Sequence, residues 1–218
     1  MKARLFRAIL GILILVLICP ALILAQDLKP IKLLTPQTNS GRLLMQALKD
    51  RKSTREFSSK ELPLEVLSNL LWAAWGINRL DSGKRTAPSA VNWQEIDVYV
   101  STAHGLYLYD AKANTLQPVL AQDIRSLTGR QSYVQEAPIN LVYVADQARM
   151  GDRPADEKVF YSAADTGFIS QNVYLYCASE GLATVVRGSI DRPALEKAMR
   201  LRPEQKVILA QSVGYPKK

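Results

Sequence analysis

The stretch DTGFISQNVYLYCASEGLATVVRGSID, Asp165 to Asp191, changes its periodicity twice in one run. Its first part continues a helical pattern that begins near Asp156. Phe160, Ala164, Gly167, Phe168, Gln171, Leu175 and Ala178 fall on one face at the 3.6-residue period, and the small residues in the middle of that face let another backbone approach closely. Gly181 ends the helix, LATVVR reads as a strand, and Gly188 marks a turn before a short helix opened by Asp191 with Pro193 close behind. A long helix feeding directly into a strand excludes an all-helical bundle and an all-β sandwich.

Upstream of this run the segment IDVYVS, followed by LYLYD and TLQPVL, alternates apolar and polar residues. Turns at His104-Gly105 and at Lys112 to Asn114 separate these pieces, which predicts an antiparallel meander. APINLVYVAD is apolar nearly throughout and predicts a strand buried on both faces, and KVILAQSVGYP predicts the last strand. Two earlier helices carry Leu43, Leu44, Ala47 and Leu48, and then, after Pro63, Leu64, Leu67, Leu70, Leu71 and Ala74. In the second of these, Trp72 and Trp75 read as core or interface aromatics. Helix and strand mix without strict alternation, so the expected class is α+β with a mixed or antiparallel central sheet flanked by helices.

The first 25 residues differ from the rest. Lys2, Arg4 and Arg7 precede an apolar run, Cys19-Pro20 interrupts it, and Ala25 stands before polar Gln26, the layout of an export signal. Cleavage after Ala25 would leave a periplasmic or secreted protein with no membrane span, whereas retention would leave an N-terminal anchor. Residues 26–39 predict an extended arm with two prolines, and residues 40–218 a single domain. The formal charge is +8, and loss of the signal's three cations leaves +5. The cations are scattered rather than striped, which argues against nucleic acid as a partner. After signal loss Cys177 is the only cysteine, which excludes a disulfide within the mature chain and makes it a small buried hydrophobe. His104, the only histidine, sits in a turn, so no metal site can be built around it.

No serine with a nearby histidine, paired-carboxylate motif or glycine-rich phosphate loop is present. Side chains alone offer no route to a demanding reaction, so no catalytic side chain is assigned and a bound cofactor is the expected agent. Three segments suit one. RKSTREF, Arg51 to Phe57, reads either as a solvated helix end or as a phosphate seat, with Arg51 and Arg55 as planar charged forks and Ser53 or Thr54 as a hydroxyl donor. TAPSAVNWQ, Thr86 to Gln94, places Asn92 and Gln94 two apart. On an extended segment both amides point to one side, offering donors and an acceptor to the pyrimidine edge of a flavin. In a loop each would instead bond its own backbone, the reading that either residue alone favours. In VVRGSID, Gly188 lets backbone amides approach a flat ligand.

In this order RKSTREF, RTAPSAVNWQ, the Asp165–Asp191 run and the closing SVGYP resemble the FMN-dependent nitroreductase family. RTAPSA together with GLYLYD resembles its thiazoline and oxazoline dehydrogenase branch. The resemblance covers about Leu43 to Pro216. It implies a homodimer with FMN at the subunit interface and hydride transfer through flavin N5. The phosphate would be held by Arg51, Ser53 and Arg55. Pro88, Ser89, Ala90, Asn92 and Gln94 would flank the ring, Arg85 would lie on its N1 and C2 carbonyl side, and the backbone of Arg187 and Gly188 would face N5. The side chain of Arg187 is left open between the ring and solvent. The substrate would be a small molecule or a peptide. An NAD(P)H-dependent nitro or quinone reductase, or a flavin-binding module without turnover, would share the same motifs. Val91 departs from the branch, which typically has glycine there.

Overall fold

The computed structural model describes residues 28–218. The export signal at 1–25 and the first two residues of the arm lie outside the described residues. Seven strands form one sheet: β1 (Ile31–Lys32), β4 (Ile96–Thr102), β5 (Leu106–Asp110), β6 (Thr115–Leu120), β7 (Ile139–Asp146), β8 (Ala183–Arg187) and β9 (Gln205–Gly214). Their order is β1-β6-β5-β4-β7-β9-β8 and every neighbouring pair is antiparallel. A separate two-stranded ribbon joins β2 (Ile77–Arg79) to β3 (Lys84–Arg85).

Strand alternation decides what each face covers. Ile96, Val98 and Val100 of β4 and Ile139, Leu141, Tyr143 and Ala145 of β7 point to one face. There they meet Leu67, Leu70, Leu71, Ala74 and Trp75 of helix α2 (Leu64–Trp75) and Ile169, Val173 and Cys177 of helix α4 (Ala155–Glu180). Tyr99, Val142 and Val144 point to the other face, against Leu195 and Met199 in and just after α5 (Arg192–Ala198). Every residue of β7 is buried, which accounts for its mostly apolar composition, broken only by Asn140 and Asp146. Trp75 belongs to this core, 2% exposed, while Trp72 is half-buried and donates its indole N–H to Ile77 O at 3.3 Å, so the aromatic pair serves the core of one chain. The arm pairs with the sheet through β1 on β6, buries Leu33, and then passes helix α2, where Leu34 N donates to Ser68 Oγ and Gln37 N to Asn69 Oδ1, both at 2.9 Å.

Two helices leave apolar side chains uncovered. Helix α1 (Leu44–Asp50) packs on α4 but buries only Ala47, with Leu43, Leu44, Met45 and Leu48 outside. On α4 the buried residues include Ser162, Asp165, Thr166, Ser170 and Tyr174, whereas Phe160 and Phe168 are 66% and 49% exposed and Gly167 and Gln171 are also outside. The small-residue stripe of Sequence analysis is therefore one face, as its period requires, and it is the face that a single chain leaves open.

Candidate functional site

Arg51 to Phe57 leaves α1 and lies against β8 and the C-terminal tail. Thr54 N donates to Thr184 O at 2.9 Å, Ser58 N donates to Tyr215 O at 2.9 Å, and Phe57 bridges Pro216. Lys52 and Thr54 line a cavity of about 400 Å³. Arg51 and Ser53 converge on Tyr174 of α4, which lines the same cavity. The Arg51 guanidinium carbon stands 5.4 Å from the Tyr174 ring centroid, and Ser53 Oγ lies 2.8 Å from Tyr174 Oη. The same phenol oxygen accepts from Val186 N at 3.0 Å. Tyr174 thus ties the heptapeptide to the end of β8, one residue before Arg187, and Gly188 beyond it is exposed. Arg51 and Arg55 have no acidic partner among the described residues, and Arg55 is exposed.

Arg187 takes neither direction left open by the sequence. Its side chain is 6% exposed and turns into the fold, where Nη1 donates to Ser212 Oγ at 2.8 Å and Nη2 donates to Thr128 Oγ1 at 2.7 Å and Asn140 Oδ1 at 2.8 Å. All three acceptors are neutral, and burial lowers the guanidinium pKa to about 10. Side-chain alternation along β8 explains the direction, since it aims this residue at β9 and β7.

The second segment also departs from expectation. Pro88 to Gln94 is a tight turn rather than an extended strand, with Val91, Asn92 and Gln94 at φ values of 43°, 60° and 48°. Such angles are rare for residues other than glycine and most unfavourable for a β-branched side chain. The turn is held by Asn92 N donating to Ser89 O, Gln94 N to Ser89 Oγ, both at 3.0 Å, and Ala90 N to Asp165 Oδ2 at 2.9 Å. The two amides do not present a common edge, because Gln94 Nε2 donates to Asn92 Oδ1 at 3.1 Å and to Gly83 O at 3.2 Å. Arg85 is half-buried over Trp75, 4.7 Å from the ring centroid, and donates to Trp75 O and Gln94 Oε1 at 2.7 Å each. Pro88 and Asn92 are exposed, and Ser89 and Ala90 are half-buried.

The structure therefore brings RKSTREF and VVRGSID together and sets the Pro88–Gln94 turn apart. The first pair meets α4 at Tyr174 and the turn meets it at Asp165, about 14 Å away along the axis at ~1.5 Å per residue. At ~100° per residue these two side chains mark opposite edges of the buried half of α4, with the open stripe between them on the outside. Sequence reasoning missed Tyr174 and also Glu95, which is fully buried beside Asp165. Glu95 ends the quoted turn and begins an apolar strand, a place where a carboxyl group without a charged partner nearby in sequence is itself a signal.

Comparisons with known proteins bear on the fold and the family. The nitroreductase family profile matches residues 48–215. A crystal structure of a protein from Ralstonia eutropha JMP134, assigned by name to the nitroreductases, superposes with a TM-score of 0.85 at 45% identity, covering 88% of this chain and 92% of that one. A protein of Methanocaldococcus jannaschii carrying the same assignment is 28% identical over 162 residues, 70% of this chain and 81% of its own length. The Escherichia coli microcin synthetase complex with truncated pro-MccB17 bound shares the fold, with a TM-score of 0.67 at 20% identity over 86% of this chain and 79% of that one. With the antiparallel sheet, the long central helix and the matched span together, the chain belongs to the nitroreductase family of oxidoreductases.

Proposed function

We propose that this protein is an exported, FMN-dependent oxidoreductase that works as a homodimer and exchanges hydride with a small-molecule or peptide substrate. The observation that carries the reading is the Arg51–Arg55 segment. It has two arginines without acidic partners and a hydroxyl on Tyr174, all beside the open backbone of Gly188. Those groups fit a phosphate on one side and a flat ring on the other. Arg51, Ser53 and Arg55 would hold the phosphate. Pro88, Ser89, Ala90, Asn92 and Gln94 would lie against the ring, with Arg85 fixed behind Gln94 and the Arg187 and Gly188 backbone opposite. FMN, when bound, supplies the hydride chemistry that the side chains lack. The chain's own contribution is to seat the anion, orient the ring and exclude water.

The open α4 stripe supports the dimer. A second copy laid across it by a two-fold axis would place one chain's Asp165 edge toward the other's Tyr174 edge, joining the two segments that one chain keeps apart. Among the described residues no helix is long and apolar enough to cross a membrane, and the export reading rests on the first 25 residues. A chain working outside the cytoplasm lacks ready access to NAD(P)H, so the nicotinamide-dependent nitro or quinone reductase is the second reading. Steady turnover with NADPH and a quinone would favour it, and inertness of bound FMN toward every donor and acceptor would leave a binding module.

The purified mature protein is expected to be yellow with a flavin spectrum, or to become so on adding FMN. A colourless protein that takes up none overturns the assignment. Arg55→Ala is expected to weaken FMN binding by about 10- to 100-fold, since a hydrogen bond to a charged group contributes about 1.5–3 kcal/mol. Lys52→Ala removes an exposed point charge to which no phosphate contact is assigned, and should change affinity by less than about threefold. Equal small effects from the two substitutions would return the heptapeptide to a solvated helix end.

A further inference from the structure

Glu95 is 0% exposed, and among the described residues no donor reaches either of its carboxyl oxygens. Its backbone cannot swing away, because Asp146 N donates to Glu95 O at 2.8 Å as β4 begins. The carboxyl that acts on it is Asp165 of α4, itself 2% exposed, so two buried acids are neighbours here. Two carboxylates offer only acceptors, so a bond between them requires a shared proton. Asp165 has the Ala90 amide to stabilise its anion and Glu95 has no donor at all, which places the proton on Glu95. The cation acting on Glu95 is Arg149, from the turn after β7. Its guanidinium is engaged elsewhere, with Nη1 donating to Gln94 O at 2.9 Å and Nη2 to both oxygens of Asp97 at 2.9 and 3.0 Å.

We propose that Glu95 is the positioning residue of the Pro88–Gln94 turn: its protonated carboxyl donates to Asp165, Asp165 thereby holds Ala90 N, and loss of the proton releases the turn. The turn needs such an anchor because three of its residues sit at positive φ, each at a cost of roughly 1–3 kcal/mol, and relax if nothing over-determines them. Without the proton two buried anions face each other with no donor between them, and the Asp165 edge of the contact moves apart. Burial, reinforced by the neighbouring carboxylate, raises the Glu95 pKa to about 7, so the switch lies in the neutral range. The proposal rests on the cofactor reading only for the consequence that the released turn no longer presses against FMN.

Trp93 lies inside the turn, edge-on to Tyr161 at 5.5 Å between ring centroids, and reports its geometry. Its emission, taken as the difference between the protein and a Trp93→Phe control, is expected to titrate between pH 5 and 9 with a midpoint of about 7. Far-UV circular dichroism should stay constant over the same range. Glu95→Gln keeps the volume and donates to Asp165 at every pH, so its emission should stay flat at the acid value. Asp165→Asn is the second variant, accepting from Ala90 N and donating to Glu95, and should be flat as well. A flat parent protein, or an unchanged midpoint in either variant, overturns the proposal. FMN affinity should weaken by about tenfold per pH unit above the midpoint in the parent and stay constant in Glu95→Gln. Failure of every form to bind FMN at any pH would overturn the cofactor reading alone, leaving the anchor to be judged on Trp93.

Discussion

Arg187→Ala lowers the unfolding free energy by about 3 kcal/mol in urea denaturation, although no acid is lost with it. Burying a cation among neutral partners is unfavourable, and removing it returns some of that free energy. What outweighs the return is the loss of three donated hydrogen bonds, to Ser212, Thr128 and Asn140, together with the space left on the sheet face beside Ser212 of β9 and Asn140 of β7. Arg187→Met keeps most of the volume and should cost about half as much as alanine. Gly129 makes the test internal. A Cβ there would lie 2.3 Å from Arg187 Nε and 2.8 Å from Gln131 Oε1, so Gly129→Ala should lose most of its cost, though not the part due to Gln131, when the arginine is absent. Strictly additive effects in the double variant would show that the guanidinium does not occupy this seat.

Phe168→Glu is expected to convert the proposed dimer to monomers in sedimentation and to abolish FMN retention, with far-UV circular dichroism unchanged. The side chain is about half exposed at the centre of the open α4 stripe, so the charge does not disturb the chain's own core. In a two-fold assembly the substitution appears twice at one contact, and two carboxylates against an apolar surface oppose association by several kcal/mol. Lys206→Glu, at an exposed position near the start of β9, is the control and should leave both properties intact. A parent protein that is monomeric and still retains FMN would end the shared-site reading.

Much of the fold was legible because its signals are local. The alternation of β4 to β6, the all-buried run of β7, and the change from helix to strand at Gly181 each follow from neighbours in sequence. The turn at Pro88 to Gln94 was not legible, since its positive φ angles are imposed by an aspartate on α4. The direction of Arg187 likewise depends on acceptors from three separated places, Thr128, Asn140 and Ser212. Glu95 and Tyr174 are connectors whose roles exist only once the sheet and α4 are packed together. The α1 and α4 stripes were legible as apolar faces, but periodicity states only that a face is apolar and not whether its cover comes from the same chain.

The strand order carries a consequence for how the chain reaches its final form. β9 is last in sequence yet lies between β7 and β8 in the sheet, pairing with both. Until those C-terminal residues are available, β7 presents an unpaired apolar edge and β8, with Gly188 at its end, has nothing to pair with. Closure must therefore wait for contacts between distant parts of the chain, the circumstance that slows folding most. An incompletely synthesised chain can form the β4 to β6 meander and no part of the Tyr174 junction beside β8. The polypeptide stays unfinished, and open to any machinery that handles unfolded chains, until its last strand slides into the gap.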